Sequence, residues 1–263
     1  MKWLFKKASH VYLTAVIIFS LLWIALSLKG TAPSNQFVPS NNIGGLSSVQ
    51  YGQLSKLDFK SGQNAVYYVN NNNSTLNFSA WKNNSITFSN LDSLNRTSGS
   101  ATAYLEGRNI ANQALRSRQN IKPSGWHYPY KNGIQVYNRG HLIAYSVSGG
   151  INNEGKYVGQ ASGDQNNPKN LFTQSAYANQ EVQTYYESQV RNALKAGKRV
   201  IYQATPIFRG NELMARGINL QAVTSDRMLN FNVYIFNVQP NIAFNYSTGA
   251  STADSGMKVI FQP

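Results

Sequence analysis

Apolar and polar positions divide the chain into three zones. An uncharged, mostly apolar run extends from Val11 to Leu28. Thr31 to about Gln53 is rich in Ser, Asn, Gly, Gln and Pro and has few aromatic or branched anchors, so it reads as a flexible tether. From residue 54 onward, short apolar segments alternate with turn residues. Ala65 to Val69 is a β-type run, and Ala101 to Arg118 has the composition of a helix. Ile134 to Tyr137 alternates after the turn signal Asn132-Gly133 and predicts a strand, with His141 just beyond its end. Residues 151–170 form a Gly/Asn-rich loop, and Ser175 to Ala196 is the strongest helix, closed by Gly197. Arg199–Phe208, Ile218–Val223 and Phe231–Val238 are strand-like and joined by short turns, which predicts an antiparallel meander. The fold class is α+β, with one domain over residues 54–263.

The flanks of the first zone change its meaning. Lys2, Lys6 and Lys7 precede the apolar run and Lys29 follows it. Residues 1–30 therefore read as an export element, a signal anchor in preference to a cleaved signal peptide, with the N-terminus in the cytoplasm. The expected location is the extracellular face of the membrane or the medium. Charge adds a partner class. Lys and Arg number 24 against 10 Asp and Glu, a formal +14, and the excess persists without the four lysines of the export element. Such a domain suits a polyanion, nucleic acid foremost, with an anionic cell-wall polymer as the alternative. The absence of cysteine excludes disulfides, thiolate zinc sites and a thiol nucleophile.

Candidate chemistry sits at Asn138-Arg139-Gly140-His141 and, downstream, at Asn179, Glu187 and Arg191. An imidazole that titrates near neutrality can take a proton from water. One asparagine oxygen with retained waters can hold Mg²⁺, with Mn²⁺ as the alternative. On an α-helix, residues 179 and 187 are offset by ~80° and can border one cleft. Glu187 and Arg191 are i,i+4 on one face, where a carboxylate can hold water and a guanidinium can meet phosphate. Arg116, Arg118 and Lys122 form a basic stretch before Trp126 that suits a groove tracking a phosphate backbone.

Together these residues resemble the DNA/RNA non-specific endonucleases of the ββα-metal superfamily. The likeness is greatest to membrane-attached nucleases of DNA uptake and secreted nucleases of Gram-positive bacteria. Asn138-Arg139-Gly140-His141 stands where that family carries Asp-Arg-Gly-His. The resemblance runs through Asn90 to Leu94, Pro123 to Trp126, Asn138 to Tyr145, Asn167 to Leu171, the Asn179-Gln180 to Glu187 spacing, Thr205-Pro206 and Arg216-Gly217. It implies a central antiparallel sheet flanked by helices, with His141 as general base and Asn179 as the Mg²⁺ ligand. Glu187 would orient water on the metal, and Arg139 and Arg191 would contact phosphate. It further implies 5′-phosphorylated products from DNA and RNA, a monomer, and an uptake machinery or inhibitor protein as partners. Asn138 departs from the signature by lacking a carboxylate, which keeps open a weakened surface DNA-binding receptor on the same fold.

Overall fold

The computed structural model describes residues 43–111, 119–131, 133–159 and 166–263. The export element at 1–30 lies outside them, and no described helix is long and apolar enough to cross a membrane. The strands are β1 (Val66–Tyr68), β2 (Ser85–Phe88), β3 (Ala101–Leu105), β4 (Tyr130–Lys131), β5 (Ile134–Gln135) and β6 (Tyr137–His141). They continue with β7 (Leu171–Ser175), β8 (Val200–Ile207), β9 (Gly217–Thr224), β10 (Asn230–Phe236), β11 (Ile242–Asn245) and β12 (Ala250–Ala253). Among the described residues two α-helices accompany them, α1 (Ser48–Leu54) and α2 (Thr184–Lys195).

Six strands form the central sheet in the order β1-β10-β9-β8-β3-β2, with every neighbouring pair antiparallel. The expected meander is its centre, β8-β9-β10. Side chains alternate between sheet faces. Val200, Tyr202 and Ala204 of β8 join Leu220 and Val233 in the main core, against Tyr186, Val190 and Leu194 of α2. Ile201 and Ile207 point into two smaller clusters on the other face. Both faces are therefore covered, and β8 and β9 are buried throughout.

The second cover corrects the tether. Residues 43–53, expected to be flexible, include buried Ile43 and Leu46 and most of α1. Ser47 caps that helix by accepting from Gln50 N while the Gln50 side chain accepts from Ser47 N, a reciprocal capping box. The segment docks on amides rising from the sheet. Leu46 N donates to Gln203 Oε1 at 3.2 Å, and Gly45 O accepts at 2.8 Å from Thr75 Oγ1, whose residue in turn donates from N to Gln221 Oε1 at 2.9 Å. Helices do not flank the sheet symmetrically: α2 covers one face, and short α1 with extended segments covers the other.

The helix expected over 101–118 is a second correction. Ala101–Leu105 is β3, paired with β8 on one side and β2 on the other, and residues 112–118 lie outside the described residues. Ala101, Ala103 and Leu105 enter the core at period two, so pairing within the sheet overrides the helical preference of alanine and leucine. The strong helix is present but differently wound. Ser175 closes β7, residues Ala178–Gln183 are π-helical, and α2 follows. Its end matches expectation: Gly197, at φ 74°, donates to Leu194 O and Lys198 N to Ala193 O, both at 3.0 Å. Only glycine adopts that backbone conformation without strain.

Candidate active site

Strands β6 and β7 pair antiparallel apart from the main sheet, and the helix follows β7 directly. This ββα unit carries the candidate chemistry. His141 is the last residue of β6 rather than one beyond a strand end. Just after it, Asn170 locks the chain: its Oδ1 accepts from Ile143 N at 2.9 Å and its Nδ2 donates to Ile143 O at 3.1 Å. Gly140 is required by proximity, not by φ. A Cβ there would lie 2.2 Å from Gln174 Oε1, inside any allowed contact.

A groove of two lobes opens over the unit. One lobe, about 540 Å³, is bordered by Asn138, Arg139, His141, Asn179, Trp126, Tyr130 and Gln119. The other, about 620 Å³, is bordered by His141, Asn179, Glu187, Arg191 and Lys195. His141, Asn179 and Thr184 line both. All five residues expected from the signature and the helix therefore share one groove. Asn179 sits in the π turn, so the ~80° offset from Glu187 that an unbroken α-helix would give does not hold. Thr184 N and Thr184 Oγ1 both donate to Asn179 O, closing that wide turn.

Amides connect these groups. Gln135 Nε2 donates to Asn138 Oδ1 at 2.6 Å, and Asn138 Nδ2 donates to Asn179 Oδ1 at 2.9 Å. Asn179 Nδ2 donates to Gln174 Oε1, and Gln174 Nε2 to Gln183 Oε1, each at 2.9 Å. Gln183 Nε2 then reaches both His141 O at 2.8 Å and Glu187 Oε1 at 2.7 Å. Gln174 and Gln183 are buried, where a half-satisfied amide would be costly, so the chain of bonds fixes all three candidate groups relative to one another. Neither glutamine was singled out from sequence. Gln183 was accessible there, being four residues from both Asn179 and Glu187. Gln174 was not, since strand pairing alone brings it beneath Gly140.

Charge is arranged around this frame. Burial pushes the Glu187 carboxyl up to about 7, against smaller lowering contributions from Gln183 and Arg191. Arg191 does not close on Glu187; its guanidinium donates to Ser146 Oγ at 3.1 Å and Ser188 Oγ at 2.8 Å. Arg139 lies over the Trp126 ring at 4.3 Å and donates from Nε to Ile121 O. Gln119 Nε2 contacts His141 Nε2 at 2.9 Å. Lys122 is exposed beside Ile121, outside both lobes, and Arg116 and Arg118 lie outside the described residues.

The donor set fits a hard divalent cation. No group of three or more His, Cys, Asp or Glu among the described residues could form a metal cage. Asn179 Oδ1 keeps a second lone pair beside its bond from Asn138, with the Glu187 carboxylate in the adjoining lobe. Oxygen donors with room for water suit Mg²⁺ or Mn²⁺ rather than tetrahedral zinc.

Known proteins share this fold. The fold, with its central antiparallel sheet, matches that of solved nucleases. NucA from Streptococcus agalactiae, solved with a magnesium ion bound, superposes with TM-score 0.63 at 29% identity, covering 80% of this chain and 99% of that one. The Sda1 nuclease, solved with a zinc ion, shares the fold at TM-score 0.55 and 19% identity, over 73% of this chain and 98% of that one. The family model for DNA/RNA non-specific endonucleases matches residues 72–225, and the chain belongs to that family. A deoxyribonuclease from Streptococcus dysgalactiae subsp. equisimilis is 34% identical over 61 residues, 23% of this chain. That match spans only 19% of the relative's length.

Proposed function

We propose that this protein is an exported, Mg²⁺-dependent endonuclease that hydrolyses phosphodiester bonds of DNA, and of RNA, without sequence preference. The observation that carries this reading is the convergence of His141, Asn179 and Glu187 on one groove flanked by Arg139 and Arg191. In this mechanism His141 takes a proton from a water molecule, whose oxygen attacks phosphorus in line with the departing 3′ oxygen. The bond from phosphorus to that 3′ oxygen breaks, which leaves a 5′-phosphate. Arg139 and Arg191 neutralise the non-bridging oxygens. Asn179 would hold a divalent cation there, which would supply further charge stabilisation when bound. Glu187 accepts hydrogen bonds from water in its lobe, and Gln183 keeps that carboxylate in register with the His141 backbone.

A base and an amide ligand held in one groove favour hydrolysis over a receptor that only binds. Export rests on residues 1–30 and the basic balance of the chain. The test is a Mg²⁺ titration of DNA and RNA cleavage by the full chain and by Asn179→Ala. Turnover should fall by about 100-fold or more without recovery in excess Mg²⁺, and wild-type products should ligate without prior phosphorylation. Wild-type turnover by Asn179→Ala at ordinary Mg²⁺ would assign the metal to another group.

A further inference from the structure

Tyr128 and Tyr130 leave 76% and 51% of their surfaces in solvent. Large aromatic side chains are rarely so exposed in adjacent positions without a partner. Their rings lie 6.3 Å apart at an interplanar angle of 56°. Two residues apart in sequence and separated by the bend at Pro129, they present their rings side by side. Their presentation is rigid. Pro129 between them has a fixed φ, and its carbonyl accepts from Val136 N at 2.8 Å and Tyr137 N at 3.3 Å. Tyr130 pairs across the β4–β5 hairpin with Gln135. That glutamine donates to Asn138, the first amide of the chain of bonds leading to Asn179. Tyr130 also lines the same lobe as His141 and Arg139. Among the described residues, neither phenol hydrogen-bonds to protein.

We propose that Tyr128 and Tyr130 form a stacking platform for unpaired nucleobases of the substrate strand, next to the phosphodiester held at His141. The inference rests on the nuclease reading and adds a substrate form to it. Every base has a π-face, so stacking grips a strand without reading its sequence, as a non-specific enzyme requires. A closed duplex hides those faces, and exposing one requires unstacking it. The platform therefore makes the protein hold single strands, frayed ends and distorted sites more tightly than intact duplex. Arg139, already stacked on Trp126 in the same lobe, supplies the neighbouring phosphate contact.

The test compares the full chain with a Tyr128→Ala/Tyr130→Ala double variant and a Tyr128→Phe/Tyr130→Phe double variant. Binding is measured in EDTA to a single-stranded oligonucleotide carrying 2-aminopurine and to a closed dumbbell duplex of equal length. The alanine pair should weaken single-strand binding by about tenfold or more and abolish part of the 2-aminopurine quenching. Dumbbell binding should change by less than about twofold, and the phenylalanine pair should behave as wild type. Equal losses on both substrates, or no loss on either, would overturn the platform. Cleavage of plasmid by the unmodified chain with Mg²⁺ is scored separately. Its absence would refute the nuclease reading while the binding comparison still decides the platform.

Discussion

Asn138 stands where the family signature carries aspartate, and its amide donates to Asn179 Oδ1 at 2.9 Å. In Asn138→Asp two acceptor oxygens would face each other at that distance. Without metal the variant should lose about 1–3 kcal/mol of stability, and Mg²⁺ should restore much of it. Thermal melts with Mg²⁺ and with EDTA measure the difference, and identical melting of variant and wild type in both would contradict the assigned bond. Glu187 makes a second prediction at this scale. Its folded value of about 7 lies above its ordinary 4.5, so the folded state holds a proton that the unfolded state has released. The associated stability is fully present below pH 4.5 and is lost as pH rises through 7. The loss is on the order of 2 kcal/mol, discounted because the carboxylate borders the open groove. Glu187→Gln should flatten this slope in metal-free melts, making the variant more stable than wild type at pH 8; a parallel slope in both proteins would remove Glu187 as the cause.

At the scale of elements, legibility followed how local the determining contacts are. The meander β8–β10 and the α2 segment were readable, because alternation, apolar spacing and Gly197 are signals within a few residues. β3 was not, since its alanines become strand only by pairing with Tyr202 and its neighbours in β8, about a hundred residues away. The π turn was equally hidden, although it decides where Asn179 points. Of the site, the signature and the helix residues were legible, while Gln174, Gln119 and the Trp126 support of Arg139 depend on tertiary placement. Gly140 joins the two levels. Its Cβ clash with Gln174 predicts that Gly140→Ala costs about 1–3 kcal/mol and displaces the amide that holds Asn179. Reduced thermal stability together with a weaker Mg²⁺ response is the expected result. A variant with wild-type melting and metal response would show that Gln174 has room to move.

At the scale of the whole molecule, the segment before the sheet is part of the fold. Deleting residues 1–53 strips Ile43 and Leu46 from the core and leaves Gln203 Oε1 without its bond from Leu46 N. Against a chain that starts at residue 43, this truncation should be less stable by at least about 4 kcal/mol, from burial alone. Equal denaturant midpoints for the two would show that the N-terminal cover contributes nothing. The formal charge of +14 acts over the same scale by drawing polyanions to the groove. DNA binding should weaken at least about tenfold between about 50 and 200 mM salt, and a flat dependence would deny the phosphate contacts assigned to the arginines.

The proposed hydrolysis requires both His141 and a divalent cation in one groove. Supercoiled plasmid incubated with the full chain, in Mg²⁺ or EDTA and beside His141→Ala, tests it most directly. Nicking and linearisation by the wild type in Mg²⁺ alone are predicted. The variant should leave plasmid uncut yet retard it in a gel as strongly as wild type does. Undiminished cleavage by His141→Ala, or plasmid retarded but uncut by wild type in Mg²⁺, would contradict the account.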